Sequence, residues 1–129
     1  MIGNKIGRLG EDIALMFLMK QGFKVLTRNY LKRFGEIDLV MEKGRITHFI
    51  EVKSVSRESI EDISYETGKI RPEDNLHNFK LKSLSKVVQA YLSEHKEVGE
   101  WRFDLCVVYI DLANKKAKVK FLENIVLPE

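Results

Sequence analysis

The chain is poor in the residues that staple, break or anchor a protein. Among its 129 residues there is one cysteine, Cys106, and there are two prolines, Pro72 and Pro128. One thiol forms no intramolecular disulfide, and its setting in Leu105-Cys106-Val107-Val108 reads as a buried, inert side chain in a reducing compartment. No apolar run approaches the ~20 residues needed to cross a bilayer. The longest, Ile13 to Met19, follows Glu11 and Asp12, where a signal peptide would carry positive charge. A cytoplasmic protein with no membrane partner is the expectation. No Pro-, Ser- or Gly-rich stretch marks a linker and no internal repeat is present, so residues 1–129 are expected to form one domain. His48, His77 and His95 share no metal-ligand spacing and have no cysteine partner, which sets zinc aside, and no Ser–His–Asp or Cys–His arrangement is visible. Gly3, Gly7 and Gly10 follow no strand and precede no Lys-Ser/Thr, so they read as packing glycines of a first helix rather than a phosphate cradle.

What the chain does have is apolar residues throughout, 44% of the total, and 32% charged residues. The net charge of +3 is only compatible with a polyanionic partner; its distribution is more informative. Lys20, Lys24, Arg28, Lys32 and Arg33 form a stretch without an acid, and Lys80, Lys82 and Lys86 form another. Both clusters could face phosphates, although a solvated face is the commoner role of such charge runs.

Periodicity divides the chain into seven elements. Ile6, Leu9, Ile13 and Met16 recur at helical spacing between Lys5 and Gln21, with Gly22 as terminator. A strand is expected over Phe23 to Tyr30, a turn at Arg33-Phe34-Gly35, and a second strand over Glu36 to Met41. Glu42-Lys43-Gly44-Arg45 then turns the chain into a third strand, Ile46 to Lys53, giving a hairpin. Ser54 to Asp74 is polar and reads as a long loop or lid; from Glu58 it carries six acids against Lys69 and Arg71, which disfavours contact with a phosphate backbone. Asp74 or Asn75 caps a second helix through Leu76, Phe79, Leu84, Val87 and Tyr91 to about Ser93. Trp101 to Asp111 is the most β-rich run, and a last strand covers Lys118 to Leu122. The order αβββαββ is that of an α/β (α+β) domain with a mixed sheet.

The chemistry concentrates on the hairpin. Alternation places Glu36 and Asp38 on one face of the second strand and Glu51 and Lys53 on one face of the third. A turn around Lys43 to Arg45 brings Asp38 beside Ile50 or Glu51. Paired strands run ~4.8 Å apart, and two carboxylates at that distance repel unless a cation sits between them or one keeps its proton. Oxygen ligands alone favour Mg²⁺ or Mn²⁺. Glu11 either turns inward with Gly7, Ala14 and Leu18 or is a solvent-facing acid of the first helical turn. Glu94-His95-Lys96 repeats the acid-x-Lys pattern without an acidic strand before it and reads as surface. The plain alternative for Asp38, Glu51 and Lys53 is a surface ion pair on an amphipathic hairpin.

Asp38, twelve residues, then Glu51-Val52-Lys53 resembles the PD-(D/E)xK signature of restriction-endonuclease-like nucleases, whose αβββαβ core the expected order contains with one extra C-terminal strand. More narrowly, Gly10-Glu11, Asn29-Tyr30, Gly35-Glu36-Ile37-Asp38-Leu39, Phe49-Ile50-Glu51-Val52-Lys53, Lys80, Tyr91-Leu92 and Arg102-Phe103-Asp104 resemble the YraN-like family of small bacterial proteins. The signature's Pro is Ile37 here, as in that family, and Val55 stands where the family often has Arg. The resemblance implies Asp38 and Glu51 as metal ligands for Mg²⁺ or Mn²⁺, Lys53 as catalytic lysine, Glu11 as an accessory ligand and Lys80 as a phosphate-binding residue. Arg33 and Lys82 from the basic clusters are added as substrate contacts, and Glu36 as an accessory acid. The expected function is a metal-dependent endonuclease cutting a DNA structure such as a junction, flap or single-stranded region, in repair, recombination or uptake. Cutting both strands requires two sites, which a homodimer supplies. A non-catalytic nucleic-acid-binding module and a protein–protein adaptor using the acidic loop are the competing classes.

Overall fold

The computed structural model describes residues 2–56 and 78–127, without the side chains of 2–4 and 78–80. Its elements are α1 (Ile2–Lys20), β1 (Lys24–Lys32), β2 (Gly35–Lys43), β3 (Ile46–Ser56), α2 (Asn78–Glu94), β4 (Trp101–Asp111) and β5 (Lys116–Leu122). The five strands form one mixed sheet in the order β1-β2-β3-β4-β5. Only β3 and β4 pair in parallel, and α2 lies in the connection between them, as a parallel pair demands.

The β2–β3 hairpin is closed by two residues, Gly44 (φ 58°) and Arg45 (φ 68°). Two successive left-handed residues make a type I′ turn, which matches the natural twist of a hairpin; glycine adopts that conformation without cost. The turn sets the register: Lys43 faces Ile46, Met41 faces His48 and Leu39 faces Ile50.

The central strands β2, β3 and β4 are apolar on both faces, and a helix covers each face of the sheet. Ile6, Ala14 and Leu18 of α1 pack with Leu39, Met41, Ile50, Cys106, Val108 and Ile110. On the opposite face Leu84, Val87, Val88 and Tyr91 of α2 pack with Val40, Phe49 and Phe103. Cys106 is fully buried, and burial pushes its thiol up to about 12, so it stays an inert thiol. One polar pair lies inside the sheet: His48 Nδ1 and Asp104 Oδ2 are 2.5 Å apart, and Asp104 Oδ1 accepts the Asn124 N–H at 2.8 Å. That bond ties the segment after β5 to the sheet.

Several expected boundaries shift, among them both ends of β2, which takes in Gly35 and also Glu42 and Lys43 from the expected turn because these pair with Thr47 and Ile46. Helix α1 begins at Ile2, and β1 continues past Tyr30 because Leu31 and Lys32 pair with Glu36 and Gly35. β5 begins two residues early, at Lys116, which pairs with Asp111. The expected loop from Ser54 loses its first residues to β3, since the parallel ladder continues from Lys53↔Val107 to Ser56↔Ile110 and satisfies their backbone groups. The rest of the expected lid, with Leu76 and the capping residues Asp74 and Asn75, lies outside the described residues. Among the described residues no helix is long and apolar enough to cross a membrane.

Candidate functional site

The β2–β3 ladder runs from Lys43↔Ile46 to Leu39↔Ile50 and stops one step short of Asp38 and Glu51. There the Val52 N–H donates to Asp38 Oδ2 at 2.8 Å, a side-chain carboxylate taking the place of a backbone carbonyl. The β1–β2 ladder also lacks one pair at this point while keeping its register, its register shift lying elsewhere, between Val25 and Thr27. Pairing passes from Arg28↔Leu39 to Tyr30↔Ile37, skipping Asn29 and Asp38, and Asn29 has φ 51°. The facial alternation slips here too, because Ile37 packs with α2 whereas Leu39, two residues on, packs with α1. Asp38 thus sits where β2 kinks between two neighbours, and a cleft opens.

The cleft has a volume of about 710 Å³, and Glu11, Glu36, Asp38, Glu51 and Lys53 are in its wall. Asp38 and Glu51 are buried, 8% and 6% exposed, and hydrogen bonded to each other. Burial first, then the hydrogen bond and charge of Glu51, raise the Asp38 carboxyl to about 9; Glu11 adds to the rise and the Val52 N–H opposes it. In the metal-free protein the pair therefore holds a proton at neutral pH. Glu36 and Lys53 are half-buried.

Helix α1 reaches this rim because Gly10 lacks a side chain. A Cβ there would lie 1.8 Å from Ser54 Oγ, so only glycine lets the helix press against the end of β3. Glu11 is carried to the cleft next to it, where Asn29 Nδ2 donates to its Oε1 at 3.1 Å. Beside them Arg28 pairs with Asp12 at 3.0 Å, an exposed ion pair of little energetic weight.

Asp38, Glu51, Lys53, Glu11 and Glu36, the residues singled out in the sequence, meet in one cleft. Arg33, in the turn after β1, and Lys82, on α2, are exposed and lie outside its wall. Lys80 is in the first turn of α2, and its side chain lies outside the described residues. Glu94-His95-Lys96 is occupied otherwise. Glu94 closes α2 and bonds Tyr30 and Lys32, and the His95 ring stacks on Tyr91.

The cleft wall, among the described residues, sets Glu11, Glu36, Asp38 and Glu51 against the ammonium of Lys53, an acidic balance that disfavours a phosphodiester. Among the described residues no three His, Cys, Asp or Glu side chains converge as a ready-made cage. The donor set nevertheless fits Mg²⁺ or Mn²⁺, since such ions bind through one or two carboxylates and complete their shell with water and phosphate oxygens. Asp38 and Glu51 would be the ligands, with Glu11 within the same wall. Two features escaped the sequence reading, the Asn29 kink and the His48–Asp104 pair. Only the choice of asparagine, a residue tolerant of left-handed backbone, hinted at the first.

Comparison with known proteins agrees with the resemblance seen in the motifs. The profile of the family described as "Uncharacterised protein family UPF0102" matches residues 10–108. A UPF0102 protein of Campylobacter hominis is 32% identical over 123 residues, covering 95% of each chain. One of Campylobacter lari is 35% identical over 119 residues, covering 92% of this chain and 91% of the relative. One of Helicobacter hepaticus is 36% identical over 121 residues, covering 94% of each.

Proposed function

The chain belongs to the uncharacterised protein family UPF0102, and from the construction of its cleft we propose that it is a divalent-metal-dependent endonuclease hydrolysing phosphodiester bonds in DNA. One observation carries the reading. Two carboxylates, Asp38 and Glu51, are buried side by side where two strands part, with Lys53 in the same cleft. A fold has little reason to bury two acids side by side unless a cation replaces the proton they share, because the desolvation and repulsion both count against it. A Mg²⁺ or Mn²⁺ ion held there supplies a Lewis acid for the phosphoryl group and an acidified water.

The protein's own groups then divide the work. Asp38 gives up its proton and, with Glu51, offers fixed oxygen donors. The Val52 N–H anchors Asp38 Oδ2, so that carboxylate is oriented before any ligand arrives. Lys53 contributes an ammonium that stabilises the negative charge growing on the phosphoryl oxygens in the transition state, where such a donor has most effect. Arg33 and Lys82, exposed outside the cleft wall, contact phosphates and give sequence-independent affinity, and Lys80 takes the same role from the family resemblance. The open cleft suits branched, flapped or single-stranded DNA in repair, recombination or uptake, and a homodimer cuts two strands.

The test is cleavage of junction, flap and single-stranded DNA with Mg²⁺ or Mn²⁺ by wild type, Lys53→Ala and Lys53→Arg, with Mn²⁺ calorimetry in parallel. Loss of Lys53 is expected to leave Mn²⁺ binding intact and to slow cleavage by about 10²-fold or more. Arginine should not restore it, because its planar fork has a different reach. Equal rates for wild type and Lys53→Ala refute the lysine's role. Failure of wild type to bind Mn²⁺ or cut any of these substrates leaves the non-catalytic binding or adaptor readings.

A further inference from the structure

From Leu112 to Leu122 the chain carries four lysines and no acid. Three of them, Lys116, Lys118 and Lys120, alternate along β5, an edge strand of the sheet, and alternation puts them on one face. Their neighbours identify that face. Val119 and Phe121 pack into the core beneath α1, so the lysines project from the other side of the sheet, where Leu122 packs with Leu105, Val107 and Tyr109 of β4. Lys53 projects from that side as well. It pairs with Val107 in the β3–β4 ladder, and Val107 pairs with Lys120 in the β4–β5 ladder, so Lys53 and Lys120 stand in one row across the sheet, ~10 Å apart. Lys118 and Lys116 continue from Lys120 along β5, opposite Tyr109 and Asp111, at steps of ~7 Å. Lys116 and Lys118 are exposed and Lys120 is half-buried.

We infer that Lys116, Lys118 and Lys120 form a track for the phosphate backbone of a single DNA strand, leading it along β5 towards Lys53. The inference deepens the nuclease reading and rests on it for what the strand is delivered to. Charge placement supports it. The carboxylates of the cleft come from α1, β2 and β3, whereas the β5 side of Lys53 offers ammonium groups. A polyanion is repelled on one side of Lys53 and attracted on the other, which steers it onto β5. Spacing agrees. A step of two residues in a strand, ~7 Å, is close to the separation of successive phosphates in an extended single strand, so each ammonium can meet one phosphate. Lysines on an edge strand also keep sheets from pairing edge to edge, but that role needs only charge at the edge and is indifferent to which face carries Lys53.

The test is fluorescence anisotropy with a single-stranded oligothymidylate in chelator, between about 50 and 200 mM salt. Wild type is compared with Lys116→Gln, Lys118→Gln, Lys120→Gln, the triple variant and Lys96→Gln, which removes one exposed charge from the segment after α2. Chelator removes the metal, so binding is read apart from cleavage. The magnitude of the slope of log affinity against log salt should fall by about 0.7 for each β5 lysine replaced, about 2 in the triple variant, and should not move in Lys96→Gln. Urea unfolding accompanies each variant. If Lys120→Gln fails to fold, the Lys116→Gln/Lys118→Gln double variant carries the test, with an expected fall of about 1.4. A wild-type slope in the triple variant overturns the inference, and so does an equal fall in Lys96→Gln, which reduces the effect to net charge. A triple variant that self-associates but keeps the wild-type slope assigns the lysines to edge protection and overturns it too. Failure of wild type to bind the oligonucleotide removes the track whatever Mn²⁺ does. A slope that falls as expected in a protein that neither binds Mn²⁺ nor cuts DNA keeps the track and refutes the nuclease reading alone.

Discussion

Replacing Asp38 by asparagine should stabilise the metal-free protein, increasingly so as the pH rises. In the fold the Asp38 carboxyl is raised from 3.8 to about 9. In the unfolded chain it returns to about 3.9. Between those values the folded state holds a proton that the unfolded state has released. Stability contributed by the protonated group is thus complete below about pH 4 and is lost as the pH climbs towards 9. The slope is about 1.4 kcal/mol per pH unit, so the accumulated loss at pH 7 is about 4 kcal/mol. That figure depends only on the folded value lying above 7, and at 8% exposure solvent screens the group little. The asparagine side chain cannot ionise, and its amide oxygen can still accept the Val52 N–H. Urea denaturation of wild type and Asp38→Asn in chelator at pH 5, 6, 7 and 8 isolates the effect of the Asp38–Glu51 pair, since titrating groups away from it cancel in the difference. The variant's advantage should grow by about 3 kcal/mol between pH 5 and 7. Mn²⁺ should then reverse the order by stabilising wild type alone, as a ligand specific to the folded state does. A pH-independent difference refutes the shared proton, and with it the reason for expecting a cation in its place.

Two further outcomes test the scaffold. Asp104→Ala removes a fully buried carboxylate that partners buried His48 Nδ1 and the N–H of exposed Asn124, and urea denaturation should show a loss of about 1–3 kcal/mol; no measurable change would mean that the pair contributes little. Gly10→Ala sets a clash with Ser54 against a gain of about 1 kcal/mol in helix propensity, so it should be more favourable in a Ser54→Gly background than in wild type by about 1 kcal/mol or more, whereas an effect independent of Ser54 would refute the close approach of α1 to β3.

The parts of the fold that were legible in the sequence are those set by local rules. The hairpin was readable because Lys43-Gly44-Arg45 interrupts two runs of period two, and its register follows from the turn, which is why Asp38 and Glu51 were expected to meet. The second helix could be placed from the spacing of Leu84, Val87 and Tyr91, and its end falls one residue beyond expectation, at Glu94. β3 ran longer than expected for a non-local reason. Ser54 to Ser56 are polar and look like loop, and only their parallel pairing with Val108, Tyr109 and Ile110 of β4 makes them strand.

The same distinction decides what was legible of the site. Asp38, Glu51 and Lys53 belong to one hairpin, so spacing alone brings them together. Glu11 arrives from a different element, and its two orientations could not be separated by helical periodicity, because the deciding contacts are tertiary. One is the absence of a Cβ at Gly10 facing Ser54, and the other is the Asn29 amide. The kink that delivers Asn29 is itself invisible to pattern reading. Alternation assumes an unbroken pleat, and here it fails between Ile37 and Leu39, at the residue that carries the first carboxylate. An unbroken β2 would have continued the ladder to Glu51 and satisfied the Val52 N–H through a backbone carbonyl. The break instead gives that N–H to the Asp38 carboxylate and opens the space in which the carboxylates and the lysine face one another.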